Sequence, residues 1–228
     1  MLSSSVAILH DNAAHGEDSY LVRDLGGHAF LDAVMDGVSG RRGAEASQAV
    51  RDELAAAALT SLEDVVAVLS EMNERLYRRS LGPLWLTTVS ATLYLDGRLS
   101  VIGIGDSPVL LIQSSAHHYL AGGVRGFGYM GVAGAIGASP KLLRLLRTEM
   151  TLEPGARVVL ATDGITDNIT TDELVQLVRR AATPDEAVAH LRTMLMERQR
   201  QDRSPTPLGD RFRHDDRTAI VRFFCASA

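Results

Sequence analysis

The chain is poor in cysteine. Its one cysteine, Cys225, stands near the end of the 228 residues, so no internal disulfide can form. Disulfides persist in oxidising compartments and are rare in the cytosol. We therefore expect a reducing, cytoplasmic setting for this chain.

Long apolar runs are also missing. No run approaches the roughly 20 residues that a helix needs to cross a bilayer. The first ten residues contain no basic stretch followed by a long apolar region, so we expect no signal peptide and no membrane partner. There is no internal repeat and no low-complexity segment. Because 46% of the residues are hydrophobic, we expect one globular domain over residues 1–228.

The chain has no excess of positive charge. It carries 23 Lys and Arg against 28 Asp and Glu, a formal charge of -5. A nucleic-acid surface requires clustered, excess Lys and Arg, so we expect no nucleic-acid partner. An anionic substrate would need positive charge from elsewhere, and a metal ion is the obvious source.

Hydrophobic patterning predicts both strands and helices. The predicted strands cover residues 5–9, 20–23, 29–35, 87–95, 98–104, 109–113, 157–161 and 218–224. The predicted helices cover residues 43–59, 62–77, 171–181 and 184–199. Asp96-Gly97 predicts a two-residue hairpin turn between two of the strands. Hairpin-joined strands, with helices in separate blocks, favour an α+β fold with helices covering antiparallel sheets.

Acidic residues recur where the predicted apolar strands begin or end. They are Asp36-Gly37, Gly105-Asp106, Asp163-Gly164, Asp215-Asp216 and Glu17-Asp18. Such positions place short carboxylates at the rim of a sheet, and glycine lets a backbone carbonyl approach a ligand closely. Asp-Gly is also a common turn dipeptide, so one pair alone indicates only a turn. Their joint recurrence predicts a site for a hard divalent cation, which prefers several oxygen ligands.

Seven short motifs occur in order over nearly the whole chain: GEDSY, VMDGVSG, GRRGAEAS, TTVSATLY, GIGDSPVLL, LEPGARVVLATDGITD and DDRTAIV. They resemble successive signatures of the bacterial metal-dependent serine/threonine protein phosphatases of the PPM type. The resemblance implies a four-layer α-β-β-α sandwich, with two central antiparallel sheets flanked by helices. It also implies a short glycine-rich lid at about residues 122–147. The implied activity is hydrolysis of phosphoserine or phosphothreonine on a protein, with Mn²⁺ or Mg²⁺ as cofactor.

The resemblance implies a role for each acidic position. Asp36 matches the carboxylate that bridges two metal ions, and the carbonyl of Gly37 would bind the second ion. Asp163 and Asp215 would complete the protein ligands of the first ion. Two such ions clamp the phosphoryl oxygens and lower the pKa of a water molecule that attacks phosphorus.

Four more acids would surround these ligands. Asp18, together with Glu17, would hold metal-bound water molecules without contacting the ions. Asp106 and Asp167 match carboxylates that are associated with a third, weaker metal in bacterial members. The resemblance therefore implies two ions, or three if this last site is used.

The chain departs from the family pattern around the phosphate. Ala13 stands where the family has an arginine that binds the substrate phosphate, and Arg41, Arg42 or His15 could replace it. No histidine follows the first Asp-Gly pair to act as a general acid. Asp216 replaces the usual asparagine. None of these departures removes a metal ligand.

Three functions stay open at this point. The first is a phosphatase acting on a phosphorylated protein, with a serine/threonine kinase or its targets as partners. The second is a catalytically weak module of the same fold that binds phosphoproteins. The third is a structural calcium-binding domain. Retention of Asp36, Asp163 and Asp215 favours the phosphatase, because a module without chemistry need not keep a costly anionic cluster.

Overall fold

Ten strands and five helices follow one another in the described residues, 2–122 and 134–226, of this computed structural model. The strands are β1 Leu2–Asp11, β2 Ser19–Gly26, β3 Ala29–Met35, β4 Val89–Leu95, β5 Arg98–Ile104, β6 Val109–Ile112, β7 His117–Ala121, β8 Leu146–Thr151, β9 Arg157–Ala161 and β10 Arg217–Ala226. The helices are α1 Gly43–Ala56, α2 Leu62–Arg79, α3 Asp163–Thr166, α4 Thr171–Arg180 and α5 Pro184–Gln201. No helix in these ranges combines the length and the apolar character needed to cross a membrane.

The strands form two antiparallel sheets of five strands each. The first sheet has the order β1-β10-β9-β6-β7, and the second has the order β2-β3-β4-β5-β8. One hydrophobic cluster lies between the two sheets. A second cluster packs α4 and α5 on the first sheet, and a third packs α1 and α2 on the second sheet. The predicted α+β sandwich with α-β-β-α layers is confirmed.

Side-chain caps define where the main helices begin. Ser61 and Thr170 each start a helix in a capping box, with Asp64 and Glu173 as the reciprocal partners. Pro184 occupies the first turn of α5, where its missing N–H leaves no intrahelical bond unmade. The helix starts that hydrophobic patterning predicts, at residues 62, 171 and 184, are confirmed.

The sequence patterns do not predict β7, β8 or α3. Both strands lie at sheet edges, and most of their residues are exposed or only partly buried. Without a buried face, a strand shows little hydrophobic alternation. Helix α3 is a single turn of four residues. His117 and His118 in β7 are exposed.

Residues 123–133 of the glycine-rich segment predicted to form a lid lie outside the described residues. The last two residues of the predicted lid, Leu146 and Arg147, belong to β8 and pair with β5. In the hairpin between β4 and β5, Asp96 and Gly97 have φ angles of 51° and 80°. Both values are positive, as a type I′ turn requires, so the predicted turn is confirmed.

A buried ion pair joins the two sheets. Arg222 of β10 donates from Nε and Nη2 to the two carboxylate oxygens of Asp32 of β3, at 2.6 and 2.7 Å. Its Nη1 donates to Ser4 Oγ at 2.7 Å, and its guanidinium lies 4.6 Å from the ring centre of Phe30. Burial raises the pKa of Asp32, and the hydrogen bonds from Arg222 offset part of that rise. This bidentate ion pair therefore fixes the position of β3 relative to β10.

We expect Arg222→Met to lower the free energy of unfolding by about 3–5 kcal/mol, because Asp32 would stay buried without its counter-charge. The double variant Arg222→Met/Asp32→Leu should recover most of this loss, since neither charge is then buried. Urea denaturation measures both. Arg98→Ala is the control, because its ion pair with Glu149 is exposed and should contribute at most about 1 kcal/mol. A loss of that small size for Arg222→Met would contradict the prediction.

Candidate metal centre

Carboxylates from both sheets meet around Asp36. Asp36 follows β3 of the second sheet and Asp163 follows β9 of the first, and their side chains share a hydrogen bond. Burial, followed by repulsion from Asp163, Asp18 and Asp106, raises the pKa of Asp36 well above its ordinary value. The structure thus brings together four of the predicted acidic site residues.

Asp18 is buried and held by two hydroxyl groups. Its Oδ2 accepts hydrogen bonds from Thr162 Oγ1 at 2.8 Å and from Thr218 Oγ1 at 2.7 Å. Burial raises the pKa of Asp18 to about 7, and Asp216 and Asp163 add to the rise while the two threonines oppose it. Because both hydroxyls bind one oxygen, the orientation of the carboxylate is set by β10 and by the end of β9.

The backbone of Asp36 is fixed by the two residues that precede β4. Its carbonyl oxygen accepts hydrogen bonds from Thr88 N at 2.8 Å and from Thr87 Oγ1 at 2.9 Å. Its N–H donates to Thr88 Oγ1 at 3.2 Å. These bonds hold Asp36 in place although it lies beyond the last residue of β3.

Glycines let the acidic loops pack backbone against backbone. A Cβ atom on Gly37 would lie 2.5 Å from the carbonyl carbon of Gly43 and 2.6 Å from the carbonyl oxygen of Glu17. A Cβ atom on Gly164 would overlap the carbonyl oxygen of Asp216. Only glycine fits at these positions, so the Asp-Gly pairs at 36 and 163 serve close approach between loops. The pair at 96 serves only a turn.

Asp216 holds the loop that precedes Asp18. Its Oδ1 accepts from the backbone N–H groups of Ala14 and His15 at 3.1 and 2.9 Å, and its Oδ2 accepts from that of Glu17 at 2.7 Å. Burial by itself would raise the pKa of Asp216, but these backbone donors outweigh it and lower the pKa. The negative charge at this position is therefore matched by N–H groups of the loop.

Asp215 lies beside His15 at the exposed end of this region. His15 Nδ1 is 3.1 Å from Asp215 Oδ1, and this hydrogen bond raises the pKa of His15. A ring nitrogen of His15 and one carboxylate oxygen each of Asp215 and Asp216 lie within 4.8 Å of one another. Because both oxygens of Asp216 already accept backbone hydrogen bonds, Asp215 is the carboxylate of this group that could bind a cation. The structure does not pair Asp215 directly with Asp36.

The other predicted acids lie around this centre. Glu17 accepts a hydrogen bond from Ser39 of the loop after Asp36. Asp167 is buried one helical turn after Asp163, with an oxygen 3.9 Å from Arg213. Asp106, after β5, is partly buried. The eight predicted site residues thus lie in five segments of loop and strand end, at residues 17–18, 36–37, 106, 163–167 and 215.

The hydroxyl residues of the site are not predicted from the sequence. Thr162 and Thr218 orient Asp18, and Thr87 and Thr88 hold Asp36. Their only signal is position, because they stand at strand ends beside acids or in the TTVSATLY motif. Threonine is common in strands for its own packing, so position alone does not reveal the contact.

The donor set fits a hard divalent cation. Asp36 and Asp163 supply carboxylate oxygens with Asp18 beside them, and Gly37 adds a backbone carbonyl. Mg²⁺ and Mn²⁺ prefer oxygen ligands of this kind. A cation would also offset the burial and the repulsion that together raise the pKa values of Asp36 and Asp18.

Solved structures share this fold. The chain has a TM-score of 0.78 and 20% identity to PppA, described as a key regulatory component of T6SS in Pseudomonas aeruginosa, with 97% of each chain covered. For the catalytic domain of the serine/threonine protein phosphatase PstP, in complex with 2 manganese ions, the TM-score is 0.75 at 19% identity, covering 99% of this chain and 100% of that one. For RsbX in complex with magnesium, the TM-score is 0.68 at 18% identity, covering 98% and 95%.

Sequence comparison places the chain in a family. No curated protein matches it, but the family model for Stage II sporulation protein E, SpoIIE, matches residues 34–222. This range contains every predicted site residue except Glu17 and Asp18. The predicted resemblance to PPM-type phosphatases is confirmed, since the SpoIIE domain is of that type and the structural neighbours are bacterial phosphatases. The chain belongs to the SpoIIE family.

Proposed function

We propose that the chain is a metal-dependent phosphatase that hydrolyses phosphoserine or phosphothreonine on a protein substrate. The observation that carries this proposal is the hydrogen bond between Asp36 and Asp163. The two residues follow strands of different sheets and lie among further carboxylates. Repulsion makes such a cluster costly unless cations compensate it. A member of the SpoIIE family with this cluster is best explained as an active phosphatase.

Mn²⁺ or Mg²⁺ is the proposed cofactor. Asp36, the carbonyl of Gly37, Asp163 and Asp215 would hold two ions, and Asp106 with Asp167 would serve a third. Bound divalent ions supply Lewis acidity and lower the pKa of water. PstP and RsbX have solved structures with manganese and magnesium, which supports this choice.

Asp18 and Glu17 would orient water at the centre. Asp18 Oδ2 is occupied by two threonine hydroxyls, so its Oδ1 is the oxygen that can accept a hydrogen bond from water. Glu17 is held by Ser39. Hydrogen bonds from residues of other segments thus fix the orientation of both carboxylates.

His15 is the best replacement for the missing arginine. It lies beside Asp215 at the exposed end of the proposed metal centre, which is where a bound phosphate would lie. Arg42 is paired with Glu45, and Arg41 donates to the carbonyl of Pro83. We propose that His15 binds the substrate phosphate.

The setting of this activity is proposed from composition and family. A single cysteine favours a reducing cytoplasm. Phosphorylated proteins, including targets of serine/threonine kinases, are the expected partners. The net charge of -5 still argues against a nucleic-acid partner.

We expect Asp36→Asn to abolish phosphatase activity and to leave the fold intact. In the absence of metal, its melting temperature should rise or stay level, because the variant removes repulsion from the carboxylate cluster. Phosphate release and thermal unfolding measure the two effects. Asp96→Asn is the matched control, since Asp96 lies in a hairpin turn that also accepts asparagine. Activity of Asp36→Asn within tenfold of wild type would remove Asp36 from its proposed role.

Removal of the metal should abolish the phosphatase activity. We expect EDTA to stop phosphate release from a phosphopeptide, and Mn²⁺ or Mg²⁺ to restore it. Zn²⁺ should restore it poorly, because it favours nitrogen and sulfur ligands in tetrahedral geometry. Full activity after exhaustive chelation would contradict the proposed function. A structural calcium-binding domain would release no phosphate under any of these conditions.

Ala13→Arg tests the missing phosphate contact. Ala13 is exposed in the loop that Asp216 holds, two residues before His15. A charge-assisted hydrogen bond contributes about 1.5–3 kcal/mol, so kcat/KM on p-nitrophenyl phosphate should rise about ten- to a hundredfold, mainly through KM. The gain should be smaller on a phosphoprotein, where other contacts already position the phosphate. An unchanged kcat/KM would show that Ala13 lies away from the phosphate or that His15 already suffices.

A further inference from the structure

The loop between α2 and β4 is joined to the segment that follows Asp36. Val38 N donates to Leu86 O at 3.0 Å, and Leu86 N donates to Arg41 O at 3.1 Å. Arg41 Nη1 donates to the carbonyl of Pro83 at 3.3 Å. The same loop continues into the two threonines that hold Asp36. The two segments therefore form one surface that begins at the metal centre.

Arginines dominate this surface. Arg41, Arg42, Arg78 and Arg79 are all exposed. The guanidinium groups of Arg79 and Arg42 lie 4.1 and 5.2 Å from the ring centre of Trp85. The stacking holds both cations in place without neutralising them.

Only two of the four arginines are ion-paired. Glu45 pairs with Arg42, and Glu74 pairs with Arg78. Among the described residues, no carboxylate forms an ion pair with Arg41 or Arg79. In a chain of net charge -5, this is a local surplus of positive charge.

Two leucines project from the same loop. Leu81 is 96% exposed, more than any other large hydrophobic residue in the described ranges, and Leu84 is 42% exposed. Leu81 also has a φ angle of 54°, a backbone conformation that costs energy for a residue with a side chain. A single exposed leucine is ordinary. An apolar residue held outward by a left-handed turn, beside unpaired arginines, indicates a contact surface.

We propose that this surface, formed by Arg41, Arg79, Leu81 and Leu84, binds the acidic and apolar residues that flank the phosphorylated residue of the substrate protein. The inference rests on the proposed phosphatase function and names the class of substrate. Arginine is suited to such a partner, because its planar guanidinium binds carboxylates at two points. The leucines supply apolar contact, and the continuity with the Asp36 segment places the flanking residues close to the phosphate.

Two phosphoserine peptides test the proposal. In one, Glu and Leu residues flank the phosphoserine, and in the other, Lys and Ser residues flank it. The third substrate, p-nitrophenyl phosphate, has no flanking residues. We expect the acidic peptide to have a KM about tenfold lower at saturating Mn²⁺. Arg79→Glu should remove or invert this preference. Leu81→Asn should raise the KM of the acidic peptide about threefold, and asparagine tolerates the positive φ angle. Both variants should hydrolyse p-nitrophenyl phosphate within about twofold of wild type.

Met196→Asn is the matched control for Leu81→Asn. Met196 is 61% exposed on α5, which packs on the other sheet, and its replacement should change no KM. If wild type hydrolyses both peptides with equal KM, or if the variants behave as wild type, the docking proposal is overturned while the phosphatase function stands.

A different result would overturn the phosphatase function instead. This result is the absence of Mn²⁺-dependent phosphate release from all three substrates. Fluorescence anisotropy with the same labelled peptides then decides the docking proposal by itself. Preferential binding of the acidic peptide, lost in Arg79→Glu, would support it. Equal binding of both peptides, or none, would overturn it.

Discussion

Repulsion between like charges is the constraint on which this structure depends. Asp36, Asp163 and Asp18 come from distant parts of the chain and stay together although each raises the pKa of a neighbour. Rigid neighbours must oppose this repulsion. Threonine hydroxyls, a glycine contact at Gly37 and an ion pair between the sheets hold the strand ends in place. The fold thus holds an anionic cluster together at the ends of its strands.

Asp216, beside this cluster, is a position at which the chain departs from the family pattern. The resemblance leads one to expect asparagine there, which offers one acceptor oxygen, whereas aspartate offers two. Both oxygens of Asp216 accept backbone hydrogen bonds from the loop that carries Glu17 and His15. The same loop carries Ala13 in place of the family's arginine. A firmly held loop with a histidine beside Asp215 is consistent with a phosphate contact that differs in chemistry from the family pattern.

Much of the fold was predictable because its signals are local. The starts of α2, α4 and α5, the turn at Asp96-Gly97 and the buried strands follow from short-range hydrophobic spacing and turn residues. Edge strands β7 and β8 were not predictable, since β7 buries only its last two residues and no residue of β8 is fully buried. The ion pair of Asp32 and Arg222 also escaped prediction, because the two residues are 190 positions apart and each is an isolated charge in an apolar strand.

The sequence by itself determined the α+β class, the family and the identity of the acidic residues, because ordered motifs and strand-end carboxylates are visible in one dimension. Only the tertiary structure decided which carboxylates meet, since proximity depends on how the two sheets stack. It placed Asp163 against Asp36 and Asp215 against His15. It also brought Arg41 to the loop that carries Leu81 and Leu84, because two loops far apart in sequence hydrogen-bond to each other. Composition records the charges of these residues, whereas packing determines their neighbours.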